Sequence, residues 1–280
     1  MSLTVLITGA SKGVGAACAK VYAAQGANLM LVARGLPALE QLATELTHQY
    51  PSCNIVTLSA DIANLNDCQH MIAQTIEHFG HINVLINNAG LHHRGEFTAQ
   101  NAHNMAAMID VNLRAPIYLS ALALPHMTQP KTAEQQNAIV MVGSLAGRAP
   151  LQGAATYSAT KAGLRTFTYA LHDELLAHNI NVAIVSPGPI DTDFIMDEID
   201  VVEDIVYSQP MSTPEQVANN VLRLSHSNHT EIAMPWLSGK LTTIGYLFPR
   251  FRRATRGLLY KIGKKNKQKY RNRANKPSAS

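Results

Sequence analysis

Leu3-Thr4-Val5-Leu6-Ile7-Thr8-Gly9-Ala10-Ser11-Lys12-Gly13-Val14-Gly15 is the stretch that decides the fold. An apolar, β-branched run, Leu3–Thr8, stops at a glycine; Gly13 and Gly15 follow, and Gly15–Gln25 then carries helical spacing. A strand that turns through glycines into a helix suits a pyrophosphate. Glycine allows the tight turn and a close backbone approach, and unpaired N–H groups at a helix start favour anionic oxygens. Placed after the first strand of an alternating chain, the turn reads as a dinucleotide site.

The same alternation continues outward. Short apolar runs recur at Asn28–Ala33, Asn54–Ser59, Val84–Asn87, Ala138–Gly143 and Asn181–Ser186, with a weaker one at Glu231–Met234. Helical spacing fills the intervals at Leu36–His48, Asn66–Phe79, Thr98–Met127 and Thr156–His178. Strands alternating with helices predict an α/β fold: one Rossmann-type, doubly wound parallel sheet of about seven strands, with helices on both faces. The 280 residues divide into a catalytic domain at 1–235, an amphipathic basic extension at 236–263 and a disordered basic tail at 264–280. Pro187–Pro210 has no clear period and reads as a long loop or lid, with Phe194 and Met196 facing an apolar substrate.

The end of the second strand selects the nucleotide. An acid about 20 residues past the glycine turn would hold a free ribose 2′-hydroxyl. Arg34 stands there instead, in Leu31-Val32-Ala33-Arg34-Gly35. Its planar fork suits a phosphate, and Lys12 adds a second cation inside the turn, so the pattern favours NADP(H).

Tyr157 and Lys161 are four apart and share one face of a helix; Ser144 lies thirteen residues before the tyrosine, just past a strand. A free phenol, with a pKa of about 10, is a poor proton carrier at neutral pH. A neighbouring ammonium lowers that value. With a hydroxyl to hold a carbonyl oxygen, the three groups can polarise a ketone, give its oxygen a proton and leave its carbon open to hydride.

Taken together, these motifs make the chain resemble a short-chain dehydrogenase/reductase over roughly residues 3–235. Thr8–Gly15 is similar to the family's TGxxxGxG turn, with Gly9, Ser11, Lys12, Gly13, Val14 and Gly15 toward the cofactor. Asn87-Asn88-Ala89-Gly90 matches its NNAG motif, and Asp61-Ile62 the pair bordering the adenine. Pro187-Gly188 followed by Thr192 matches the segment beside the nicotinamide. The resemblance implies that Tyr157 is the general acid/base and that Lys161 lowers its pKa and holds the nicotinamide ribose. It implies further that Ser144 fixes the substrate oxygen and that Asn112 supports a proton-relay water. The family also implies a homo-oligomer, dimer or tetramer, built on the helices at Thr98–Met127 and Thr156–His178, and a substrate cleft bordered by His92 and His93.

Composition narrows the rest. Apolar residues make up 46% and charged residues 15%, an ordinary globular balance. Three cysteines, Cys18, Cys53 and Cys68, form neither a disulfide framework nor a zinc finger; twelve histidines show no metal-ligand spacing, so no metal is expected. No uninterrupted apolar run reaches the ~18 residues of a membrane span, and the N-terminus lacks the basic region of a signal peptide, so a cytoplasmic location is expected. Met105 and Met108 read as core. Charge is uneven: from Arg250 onward there are 12 basic residues and no acid, leaving 11 basic against 19 acidic before it, a net of −8. Aromatic and aliphatic residues interleave with Arg and Lys over Trp236–Gly263, divided by Pro249. Such a segment suits an anionic membrane surface, where each basic residue contributes about 1 kcal/mol. Packing on the sheet or on a sister subunit is the other reading; nucleic acid or an acidic carrier protein ranks below both. The function these features point to is an NADPH-dependent carbonyl reductase acting on a hydrophobic, lipid-like ketone at a membrane surface. The alternatives are a reductase of 3-oxoacyl thioesters, steroid-like or small carbonyls, or a non-catalytic NADPH-binding sensor or scaffold.

Overall fold

All seven apolar runs form strands of one sheet in the computed structural model, which describes residues 2–127, 137–192 and 199–274. The strands are β1 (Thr4–Thr8), β2 (Asn28–Ala33), β3 (Ile55–Ser59), β4 (Val84–Asn87), β5 (Asn137–Val142), β6 (Ile180–Pro187) and β7 (Glu231–Met234). Their order is β3-β2-β1-β4-β5-β6-β7, parallel throughout. The helices between them are α1 (Gly13–Ala23), α2 (Leu36–Gln49), α3 (Leu65–Phe79), α4 (Ala102–Ile109), α5 (Ala115–Ala123), α6 (Ala155–Leu175) and α7 (Pro214–Ser225).

Successive strand residues face opposite sides, so each strand serves two cores. Val5, Ile7, Leu29 and Leu31 pack against α1, α2 and α7. Leu6, Met30, Leu85 and Ile139 pack against α3, α5 and α6. All three cysteines are buried and unpaired, and Met108 is in the interior. Ala102–His126 is long and apolar enough to cross a membrane by composition. In this fold it packs on the sheet instead, through Ala115, Leu119 and Ala123. Phe194 and Met196 lie outside the described residues. The rest of the expected loop carries a short 3₁₀ turn, Asp204–Ser208, and a bridge from Ile190 to Ser212.

The chain continues into α8 (Trp236–Leu247) and α9 (Pro249–Ala274). Pro249 starts a helix here, as proline can at a first helical position, with Phe248 outside the helical region before it (φ −121°, ψ 78°). Gly239 of α8 lies where a side chain would strike Ala233 of β7, and Gly263 of α9 where one would strike the backbone of Asp204. The expected disordered tail at 264–280 is therefore corrected for 264–274, where the helix runs on to Ala274; 275–280 lie outside the described residues. The reason is long-range pairing. Lys267, only 7% exposed, donates to the Val202 carbonyl at 2.6 Å and lies 3.3 Å from the Asp204 carboxylate. Asn266 donates to the Tyr207 carbonyl, Tyr260 to the Glu203 carboxylate, and Arg271 pairs with Asp200. Counting charges along the tail could not reveal these partners.

Candidate active site

Strand order reverses between β1 and β4. In an open parallel sheet the crevice beyond the carboxyl ends of the strands at such a point binds ligands. One cavity of about 1010 Å³ occupies it, walled by the loops after β1, β2, β4, β5 and β6.

The glycine turn forms one wall. Gly9 and Gly13 have φ of +65° and +57°, a region glycine enters without strain, and a side chain at Gly15 would overlap the Gly9 carbonyl. Asn88 holds the turn from behind, its Nδ2 donating to the Thr8 and Gly9 carbonyls at 2.9 and 3.0 Å. The Thr8 hydroxyl accepts from the Asn88 and Ala89 N–H groups. Thr192 packs against Gly13. Ser11, Lys12, Val14, Arg34, Asp61, Ile62, Ala89, Gly90, Pro187 and Gly188 all line the same cavity, with Lys12 and Arg34 exposed at its edge. The fit to a dinucleotide is structural: a Cβ on Gly9 or Gly15 would strike the Ala89 backbone or the Gly9 carbonyl, and the tight turn these glycines allow opens the start of α1 toward the cavity, where N–H groups suit a pyrophosphate.

The other candidate residues converge on the opposite wall. Asn112 sits in a single π-helical turn, Asp110–Arg114, between α4 and α5; such turns often mark functional positions. Its amide is locked both ways to Leu91, accepting from the N–H and donating to the carbonyl at 2.7 Å each, and it donates to Thr160 Oγ1 at 3.3 Å. Ser144 follows β5 and caps a 3₁₀ turn by accepting from the Ala146 N–H at 3.1 Å. Tyr157 and Lys161 lie in the first two turns of α6, and the Ser144 hydroxyl stands beside the Tyr157 phenol and lowers its pKa.

Electrostatics revise one expectation. Removal from water raises the Tyr157 phenol above its ordinary value, against weaker lowering by the Ser144 hydrogen bond and by Arg94. Lys161 is engaged elsewhere. The buried ammonium donates to the Val142 carbonyl at 2.9 Å and stands 5.8 Å from the phenol ring centre, and burial lowers its own pKa to about 8. The phenol is thus held in its acid form.

Sequence reasoning missed a carboxylate. Glu231 of β7 takes the Arg165 guanidinium at 2.7 and 2.9 Å, the Ser186 hydroxyl at 2.6 Å and the Tyr169 hydroxyl at 2.8 Å, and pairs with Arg148. Arg148, four residues past Ser144, also donates to Thr243 of α8 at 2.8 Å. These partners lie 45 residues and more from Glu231 in sequence, and no local pattern announces them.

A glycine cradle at the switch point, facing a phenol beside Ser144 with a buried ammonium one helical turn away, is an arrangement that can move a hydride and a proton between a CH–OH and a C=O group. The family model for short chain dehydrogenases matches residues 3–201, and the chain belongs to the short-chain dehydrogenase/reductase family. It is 38% identical over 192 residues to 11-beta-hydroxysteroid dehydrogenase-like 2 of Arabidopsis thaliana, covering 68% of this chain and 59% of that protein. The chain therefore spans about three fifths of that relative's length. Dehydrogenase/reductase SDR family member 7B of Bos taurus is 30% identical over 257 residues, covering 86% of this chain and 77% of that protein. Among solved structures, a short chain dehydrogenase from Burkholderia cenocepacia J2315 in complex with NADP superposes with a TM-score of 0.71 at 27% identity, over 82% of this chain and 95% of that one.

Proposed function

We propose that this oxidoreductase is an NADPH-dependent carbonyl reductase acting on a hydrophobic, lipid-like ketone at the cytoplasmic face of an anionic membrane. Bound NADPH would supply hydride to the carbonyl carbon. Arg34 and Lys12 would hold the 2′-phosphate, the Gly9–Gly15 turn the pyrophosphate, and Asp61 and Ile62 the adenine. Asn88, Ala89, Gly90, Pro187, Gly188 and Thr192 would border the nicotinamide half. Ser144 would anchor the carbonyl oxygen, Tyr157 would give it a proton, Lys161 would hold the nicotinamide ribose, and Asn112 would support a relay water. A phenol held protonated is in the form that reduction consumes, which supports this direction. The NADP in the Burkholderia cenocepacia relative supports the cofactor choice.

The observation that carries the substrate class is the far end of the cavity. Leu241, Phe251 and Leu258 line it and are also more than half exposed, so the wall beyond Tyr157 opens onto the surface through α8 and α9. The surrounding surface carries Trp236, Leu237, Tyr246, Leu247 and Phe248, each about 60% exposed or more, beside Lys240, Arg250 and Arg253. Apolar side chains ringed by cations suit the headgroup region of an anionic bilayer. A rigid steroid-like ketone is the second reading, favoured by the resemblance to the hydroxysteroid dehydrogenase-like protein. Self-association through α4, α5 and α6, which expose Ile109, Ile117 and Tyr169, also remains a proposal; light scattering of the full chain tests it.

The experiment is a panel of straight-chain methyl ketones of increasing length, with a steroid ketone beside them, followed by loss of NADPH absorbance with and without phosphatidylserine vesicles. Turnover that rises with chain length and with vesicles supports the lipid reading, and preference for the steroid supports the second. Replacing Leu247 and Phe248 together with Glu should abolish flotation with the vesicles; unchanged flotation contradicts the membrane surface.

A further inference from the structure

The histidine pair after Gly90 has no part in the chemistry above. His92 nevertheless lies flat against the ring of Tyr157, with centroids 3.9 Å apart and planes 11° from parallel. It is 7% exposed, forms part of the cavity wall, and its Nε2 is buried with no hydrogen-bond partner among the described residues. Burying a bare ring nitrogen costs free energy, so the packing here is not explained by polar satisfaction. Burial, then the charges of Arg94, Lys161 and His93, pushes the imidazole down to about 3, so the ring is uncharged at neutral pH. An imidazole that stays neutral across this range takes up no proton near neutral pH. It is a flat wall.

The phenol needs such a wall. Tyr157 stands at the cavity with the Ser144 hydroxyl beside its tip, while the Lys161 ammonium is engaged by the Val142 carbonyl. Contact at the tip alone does not fix the plane of the ring. An offset of about 1 Å at a reacting group lowers rate about 100-fold.

We propose that His92 is a positioning residue: its ring, stacked on Tyr157, fixes the plane of the phenol so that the oxygen stays beside Ser144 and the carbonyl to be reduced. This rests on Tyr157 being the proton donor, and the test separates the two claims. His92→Leu fills the space without a ring; His92→Phe restores a flat ring without a titrating nitrogen. NADPH binding, followed by nucleotide fluorescence, should stay within about twofold in both, which also reports folding. In tyrosine-labelled NMR of the full chain, with Tyr157 assigned by Tyr157→Phe, the Tyr157 ring protons should be shifted upfield by the stacked ring. The shift should persist in His92→Phe and vanish in His92→Leu. With NADPH and the best methyl ketone of the panel, His92→Leu should lower kcat about 10- to 100-fold with little change in the ketone KM, and His92→Phe should recover kcat to within about threefold of wild type. Full kcat in His92→Leu, or His92→Phe as slow as His92→Leu, overturns the proposal. If the wild type reduces no ketone, the proton-donor reading fails. The NMR arm still decides the stack: Tyr157 resonances identical in wild type and His92→Leu overturn it.

Discussion

The sheet and the two C-terminal helices are held by different means. In the sheet, apolar residues alternate between two cores, and each loop that follows a strand end delivers its residues to one crevice. The α8–α9 pair has little core of its own. Glycines set it close to β7 and to the 200–208 segment, and cations find carbonyls and carboxylates there. An acidic body with a net charge of −8 and a basic extension thus meet at Asp200, Glu203 and Asp204. The lesson is that a basic tail at the end of an acidic domain can be a structural clasp and the wall of a cavity at once.

The largest effect expected at the join falls on Glu231, whose carboxyl the two arginines and Ser186 hold down to about 2 despite burial. A carboxyl depressed from about 4.5 adds stability above that pH and loses it as pH falls toward about 2; the shift corresponds to about 3 kcal/mol. Denaturant melts of Glu231→Gln across this range should therefore show a flatter acid limb than wild type. An equally steep limb would mean that the network does not tie α8 to the sheet.

Next comes Arg34, which belongs to the body alone. Arg34→Asp should cut the ratio of NADPH to NADH affinity about 10- to 100-fold, the range of a lost charge-assisted hydrogen bond. Calorimetry of both nucleotides measures it, and an unchanged ratio removes Arg34 from the 2′-phosphate.

Smaller still is a paired test within α9. A methyl group at Gly263 meets the backbone of Asp204, whereas nothing lies within 4 Å of one at Gly257. Gly263→Ala should destabilise by about 1–3 kcal/mol. Gly257→Ala should stabilise by up to about 1 kcal/mol, the helix preference of alanine. Equal thermal shifts in the two variants would mean that α9 does not dock.

What was legible in the sequence follows the same division. Period-two and period-3.6 patterns are local, so Leu3–Thr8 and Thr156–His178 could be read as strand and helix directly. Site residues at strand ends could be read too, because a parallel sheet sends Gly9, Asn88, Ser144 and Gly188 to one edge. The Lys267–Val202 bond and the Glu231 network could not, since each joins positions 45 or more residues apart with no periodic signature. The raised phenol was missed for a related reason: spacing puts Lys161 near Tyr157 but says nothing of the Val142 carbonyl that engages its ammonium.

The central claim is that the Tyr157 phenol hands its proton to a carbonyl held by Ser144. The most direct measurement is the rate of NADPH consumption under single turnover in wild type and Tyr157→Phe, alongside NADPH affinity in both. The account predicts a loss of about 10²–10⁴-fold in rate with affinity nearly unchanged. A Tyr157→Phe protein that reduces the same ketone at the wild-type rate would contradict it.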